Sequence, residues 1–222
     1  MGQTILFSEM TPPAHLEDAF NTWYDGEHIP LRMAAPGFEG AQRYRDGATL
    51  NYLAIYEMDS PAALGTAHYK TIKNDPSALS RRMLDSVSGF TRYIGTEIAS
   101  APAQGWQRMI EAATVYAVFF EVPGDRCGDF DTWYDQDHIP ILLGDVRWRG
   151  VRRFAIVEGA PFRYNRLALH YIAGREALES EVRRQARATP WRAKLAAEPW
   201  FKGHYLVFDR VGDRHKPNNK SP

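Results

Sequence analysis

Phe20-Asn21-Thr22-Trp23-Tyr24-Asp25-Gly26-Glu27-His28-Ile29-Pro30 recurs as Phe130-Asp131-Thr132-Trp133-Tyr134-Asp135-Gln136-Asp137-His138-Ile139-Pro140, with eight of eleven positions identical at an offset of 110 residues. The match extends outward from there. It pairs Phe38 with Trp148, Gly40 with Gly150, Arg43 with Arg153 and Tyr44 with Phe154. After a short insertion the offset becomes 114, matching Leu53-Ala54-Ile55 to Leu167-Ala168-Leu169, Ala63-Leu64 to Ala177-Leu178 and Pro76 to Pro190. Self-similarity at a fixed period marks a chain assembled from one repeated unit. The unit spans about 105 residues, and the small-residue and proline stretch from Ala99 to Gly105 reads as the joint. This predicts a first repeat over 1–104, a second over 105–212 and a disordered tail over 213–222.

Each copy has the same grammar. Thr4 to Ser8 and Thr114 to Phe120 are β-rich runs, the second almost wholly apolar and so suited to burial on both faces. Thr11 before Pro12-Pro13, and Asp129 in the second copy, are placed to cap a helix. Gly40 to Arg45 with Asn51 to Glu57, and Gly150 to Val157 with Asn165 to Ile172, read as hairpins. Helices starting near Pro61 and Arg175 follow, broken near Pro76 and Pro190, and Phe90 to Ile94 and His204 to Phe208 supply a last strand. The order is β-α-β-β-α-β, twice, an α+β class with two tandem ferredoxin-like repeats. One such repeat leaves a sheet face bare, and a second copy supplies the partner for sheet-to-sheet packing within one chain.

Composition narrows the function. The 222 residues hold 27 Lys plus Arg against 27 Asp plus Glu. With no net field, neither nucleic acid nor an anionic membrane is expected as a partner. No stretch reaches the roughly 18 apolar residues of a membrane span. The one cysteine, Cys127, provides neither a disulfide framework nor a thiolate cluster and suits a reducing cytoplasm. No His-Glu-x-x-His or clustered-carboxylate motif points to a metal, and no glycine-rich loop points to phosphate.

On the first helix Phe20, Tyr24, Glu27 and Leu31 fall on one stripe, flanked by Leu16 and Trp23; Phe130, Trp133, Tyr134, Asp137 and Ile141 repeat it. A carboxylate on an apolar stripe is costly unless it is paired or protonated. His28 and His138 follow Glu27 and Asp137 directly, and Pro30 and Pro140 are expected to end or kink the helix around Ile29 and Ile139. Each acid–His pair would then exchange protons near neutral pH, in a pocket walled by Trp23, Tyr24, Trp133 and Tyr134. Tyr56, Arg43 and their counterparts His170 and Arg153 are placed to hold an oxyanion. Asp25 and Asp135 are expected to face solvent. Because Tyr52 and Tyr56 in one copy face Arg166 and His170 in the other, two once-equal pockets have diverged and one is expected to work. The run Arg183-Arg184-Gln185-Ala186-Arg187 reads as a solvated helix face.

The Trp-Tyr-x-x-(Glu/Asp)-His-Ile-Pro motif, with this strand order, resembles the dimeric α/β-barrel superfamily and within it the EthD-like members. The resemblance covers both halves and implies an intrachain barrel and a functional role for His28 and His138. It also implies a wide range of chemistry: cofactor-free monooxygenases, haem enzymes, muconolactone isomerases, cyclases and decarboxylase-like proteins. The expectation taken from these residues is a cofactor-independent enzyme, a lyase, isomerase, cyclase or decarboxylase acting on a small aromatic or polyketide-like molecule by proton transfer. A haem- or oxygen-dependent oxidoreductase or monooxygenase is the alternative, and a non-catalytic small-molecule-binding protein is the third. No cofactor is expected, with haem as the alternative; either a monomer or a homodimer is compatible.

Overall fold

A computed structural model describes residues 3–106 and 108–217. The eight strands are β1 (Thr4–Met10), β2 (Phe38–Asp46), β3 (Tyr52–Met58), β4 (Arg92–Pro102), β5 (Thr114–Phe120), β6 (Trp148–Ala160), β7 (Arg166–Ile172) and β8 (His204–His215). They are hydrogen-bonded in the order β1-β3-β2-β8-β5-β7-β6-β4 and close into a barrel. The fold is thus α+β, with the β-α-β-β-α-β order present twice. Two compact units divide it, the first built mainly from the chain up to Thr96 and the second mainly from Glu97 to Arg210.

In unit 1, β1 pairs antiparallel with β3 and β4, and β2 pairs with β3. Every residue of β1 is buried. Side chains alternate across a strand, so Leu6, Ser8 and Met10 share one face, and Leu6 and Met10 join the cluster formed with the helices. Helix α1 (Glu17–Trp23) lays Phe20 and Trp23 on that face, against Tyr52, Ala54 and Tyr56 of β3. Unit 2 repeats this with α5 (Cys127–Trp133), β5, β7 and β6. Its cluster gathers Phe130, Trp133 and Tyr134 with Phe120, Trp148 and Leu195.

The helix does not end at the proline. From α1 the chain enters a π-turn, Tyr24–His28, and continues as α2 (Ile29–Met33); α5 likewise runs through Tyr134–His138 into α6 (Ile139–Leu142). In each, the N–H after the histidine reaches back five residues, Ile29 to the Tyr24 carbonyl and Ile139 to the Tyr134 carbonyl. The wider turn absorbs one residue. Pro30 and Pro140 then sit in the first turn of the following α-segment, directly after the widened turn, and the helix runs on past them.

Other expectations need correction. Thr11 caps no helix; it forms an isolated bridge with Ser88, and the helical region opens with a 3-10 turn after Pro13. Asp129 lies inside α5, which has no side-chain cap. Hydroxyl caps appear instead on the later helices: Thr66 on α3 (Ala67–Asn74), Ser77 on α4 (Ala78–Ser86), Ser180 on α7 (Glu181–Arg187) and Thr189 on α8 (Pro190–Ala196). Asp213–His215 are not a disordered tail but the end of β8, where Arg214 is ion-paired with Glu57; residues 218–222 lie outside the described residues. Among the described residues no helix is long and apolar enough to cross a membrane.

Candidate functional site

Unit 1 encloses a cavity of about 720 Å³. Leu6, Ser8 and Met10 of β1 floor it, Tyr24, His28 and Arg32 of the π-turn and α2 form one wall, and Tyr69, Ile72 and Leu84 of α3 and α4 form another. The lining is mostly apolar, with a few polar groups facing one another, the usual make-up of a small-molecule pocket.

His28 is 4% exposed, its ring held between those of Trp23 and Tyr24 at centroid distances of 4.4 and 4.6 Å. Neither ring nitrogen has a hydrogen-bond partner among the described residues, although the backbone carbonyl accepts from Arg32 Nη1 at 2.9 Å. Burial pushes its pKa well below the usual imidazole value, and the Arg32 and Arg43 guanidinium groups push it the same way. The ring is therefore neutral at pH 7. Arg32, one turn on, is half-buried, with its Nε unpartnered. It makes no ion pair among the described residues and lies 5.6 Å from the Tyr56 ring and 6.0 Å from that of Tyr69. Beside them Tyr56 Oη donates to Tyr24 Oη at 3.3 Å, and burial raises both phenols above the usual range.

The expected acid–His pairs do not form. Glu27 turns to α4, accepting from Ser77 Oγ at 2.5 Å and Ser80 Oγ at 2.6 Å, and these two bonds hold its pKa below the usual carboxylate value. Trp23 Nε1 donates to the same Ser80 Oγ at 2.9 Å. Asp137 accepts from Thr189 Oγ1 at 2.6 Å and Trp133 Nε1 at 3.1 Å. Since Ser77 and Thr189 are both helix N-caps, each carboxylate fastens the first helix of its unit to the last. The arginines are likewise engaged. Arg43 donates to Asp25 at 2.8 Å and Asn21 at 2.6 Å, 4.6 Å from the Tyr24 ring; Arg153 binds Asp135 at 2.5 Å and also Asp131. Asp25 and Asp135, expected at the solvent face, are about half-exposed and hold these arginines.

In unit 2 the corresponding space is about 30 Å³. Tyr116, Val118 and Phe120 stand where unit 1 has Leu6, Ser8 and Met10, and Phe201 also lines what remains. His170 is fully buried, Nε2 bonded to Tyr134 Oη at 2.8 Å and Nδ1 without a partner. Burial drives its pKa well below the usual value. His138 is pushed down to about 4, chiefly by burial, and its Nδ1 donates to the Ala186 carbonyl at 3.3 Å. Of the residues singled out from sequence, His28, Tyr24 and Tyr56 line the large cavity, His138, Trp133 and Tyr134 the small one. Sequence reading missed Arg32. The signal was available, because its position in the second copy is Leu142 and only a difference between copies marks the working half.

No family model matches the chain, and neither does any curated protein. Solved structures do. An anthrone oxidase-like protein aligns over 98% of this chain and 94% of its own at 11% identity, with a TM-score of 0.71. A candidate monooxygenase from Lactobacillus acidophilus NCFM covers 97% of each chain at 10% identity and a TM-score of 0.57. Chlorite dismutase from Candidatus Nitrospira defluvii, solved with imidazole, covers 94% of this chain and 91% of its own at 7% identity and a TM-score of 0.59. At these identities the likeness is one of fold, that of the dimeric α/β barrels. The neighbours are an oxidase-like protein, a monooxygenase candidate and a dismutase. They overturn the expectation of a cofactor-independent lyase, isomerase, cyclase or decarboxylase, and with it the expectation that no cofactor takes part.

Proposed function

We propose that the protein is an oxygen-dependent oxidoreductase of the monooxygenase type, with its active pocket in the unit 1 cavity and a small phenolic or polycyclic aromatic molecule as substrate. The observation that carries this reading is the pairing, on one wall of a largely apolar cavity, of a neutral imidazole with a guanidinium that has no carboxylate partner among the described residues. A phenol or an acidic ring methylene entering the cavity delivers a proton to His28. The imidazole is a weak base while it is alone, but an oxyanion formed beside it and beside Arg32 stabilises the imidazolium as it appears. Arg32 holds that oxyanion, and the electron-rich ring is then ready for oxidation. For a methylene the balance is one CH₂ and one O₂ giving one C=O and one water. Both oxygen atoms are accounted for, and dioxygen is the oxidant.

The donor set also fits a haem. His28 offers a ring nitrogen unengaged among the described residues on the cavity wall, and Arg32 and Lys73 line the same cavity and suit two carboxylates, whereas Arg92 is ion-paired with Glu158. A haem bound there would supply oxygen activation, while the chain would position the substrate and exclude water. Within the fold, the repeated motif supports EthD-like membership. The lone Cys127 supports a cytoplasmic setting, and the site uses residues of one chain whether the protein is a monomer or a homodimer.

The test is oxygen uptake with a hydroxylated anthrone as substrate. Uptake matched to ketone formation, lost in His28→Ala and in Arg32→Gln, is the expected result; uptake equal in wild type and both variants would remove the assignment. A hemin titration read at the Soret band, run on wild type and His28→Ala, shows whether His28 binds iron.

A further inference from the structure

The basic run on α7 is not uniformly a solvated face. Arg184 looks like one, 66% exposed and ion-paired with Glu181. Arg183 of α7 and Arg192 of α8 are only partly exposed, and together with the exposed Arg187 of α7 they line the small pocket of unit 2. None of the three has a carboxylate within ion-pair distance among the described residues. Arg183 Nη1 donates to the Leu178 carbonyl at 2.7 Å and Arg192 Nη1 to the Arg187 carbonyl at 3.1 Å, and Arg183 also hydrogen-bonds the Tyr116 side chain. Asp137 does not line the pocket and is taken by Thr189 and Trp133. On the pocket wall Tyr116 is 7% exposed, with the Arg183 guanidinium 5.7 Å from its ring.

We propose that Arg183, Arg187 and Arg192 form a second ligand site, specific for a small oxyanion, phosphate or carboxylate. Three like charges brought together without a counter-charge repel one another, and an anion at their centre turns that repulsion into attraction. Burial and then the neighbouring Arg187 hold Arg192 below the usual guanidinium range, as uncompensated positive charge does. Guanidinium groups present planar pairs of donors matched to carboxylate and phosphate oxygens. The space of about 30 Å³ takes a head group and not an aromatic ring, so this ligand differs from that of the large cavity.

Thermal unfolding of the whole chain tests this, titrated with inorganic phosphate and separately with acetate, each against sodium chloride at matched ionic strength. The expected result is a saturable rise in Tm beyond the chloride control, weakened about tenfold in apparent affinity by Arg187→Gln. The same rise should persist in Arg32→Gln, which alters only the large cavity. A stronger response to phosphate identifies a phosphate-bearing ligand, and a stronger response to acetate identifies a carboxylate. Three outcomes overturn the proposal: a Tm that follows ionic strength alone, a response surviving the Arg187→Gln, Arg192→Gln double variant, or one abolished by Arg32→Gln.

Discussion

The two repeats start from nearly the same eleven residues and arrive at pockets of about 720 and 30 Å³. The helix carrying the motif is not what differs. It follows the same course in both units, with the same π-turn and the same carboxylate fastening it to a capping hydroxyl. What differs is the surface it faces. Leu6, Ser8 and Met10 leave room where Tyr116, Val118 and Phe120 take it up, and Arg32 puts a charge where Leu142 puts an alkyl chain. A motif can thus fix a frame while its neighbours decide whether that frame encloses a site.

The largest effect should come from removing the polar pair that only the open half has. His28→Ala and Arg32→Gln should each lower the rate of oxygen uptake by about 100-fold or more, while His138→Ala stays within about twofold of wild type. A loss shared equally by His28 and His138 variants would erase the distinction between the halves. Next, Leu6→Tyr gives unit 1 the side chain of unit 2. Ligand affinity measured by calorimetry should fall about tenfold or more, with a change in unfolding free energy under about 3 kcal/mol, because the ring enters existing space.

Smaller effects separate fastening from chemistry. Glu27→Gln and Ser77→Ala should each cost about 1 kcal/mol in urea unfolding and leave the pH profile of turnover unchanged. A Glu27→Gln enzyme that folds as well as wild type but turns over tenfold more slowly would return Glu27 to the reaction.

Turnover should also stay flat as pH falls through 6.5, because His28 is held neutral well below its ordinary value. Stability should behave otherwise. His28, His138 and His170 all have folded-state values below the unfolded one, so between those values the unfolded chain binds more protons. Their contribution is complete above about pH 6.5 and is lost as pH falls, for His138 through about 4. Urea midpoints measured from pH 7.5 to 4 should therefore decline, less steeply in His138→Gln.

Much of the fold was legible because the repeat, the β-run at Thr114 to Phe120 and the hairpins depend on local pattern, which a sequence carries openly. The divergence of Tyr56 and His170 was legible too, since both lie at matched strand positions. The roles of Glu27 and Asp137 were not. Regular 100° spacing places Glu27 on the apolar stripe, but the π-turn changes the phase after Tyr24, and its partners Ser77 and Ser80 are 50 and 53 positions away. That a strand arginine such as Arg43 would pair with a helix acid was legible; that the acid is Asp25 was not, because it depends on how the two elements pack.

The π-turn also dates events. A turn one residue wider than an α-turn sits at the same place in both copies, between Tyr24 and His28 and between Tyr134 and His138. Gly26 does not require it, since Gln136 occupies the matching position without disturbing it. The widened turn is therefore older than the duplication. Arg32 against Leu142, and the unequal pockets, arose after the duplication.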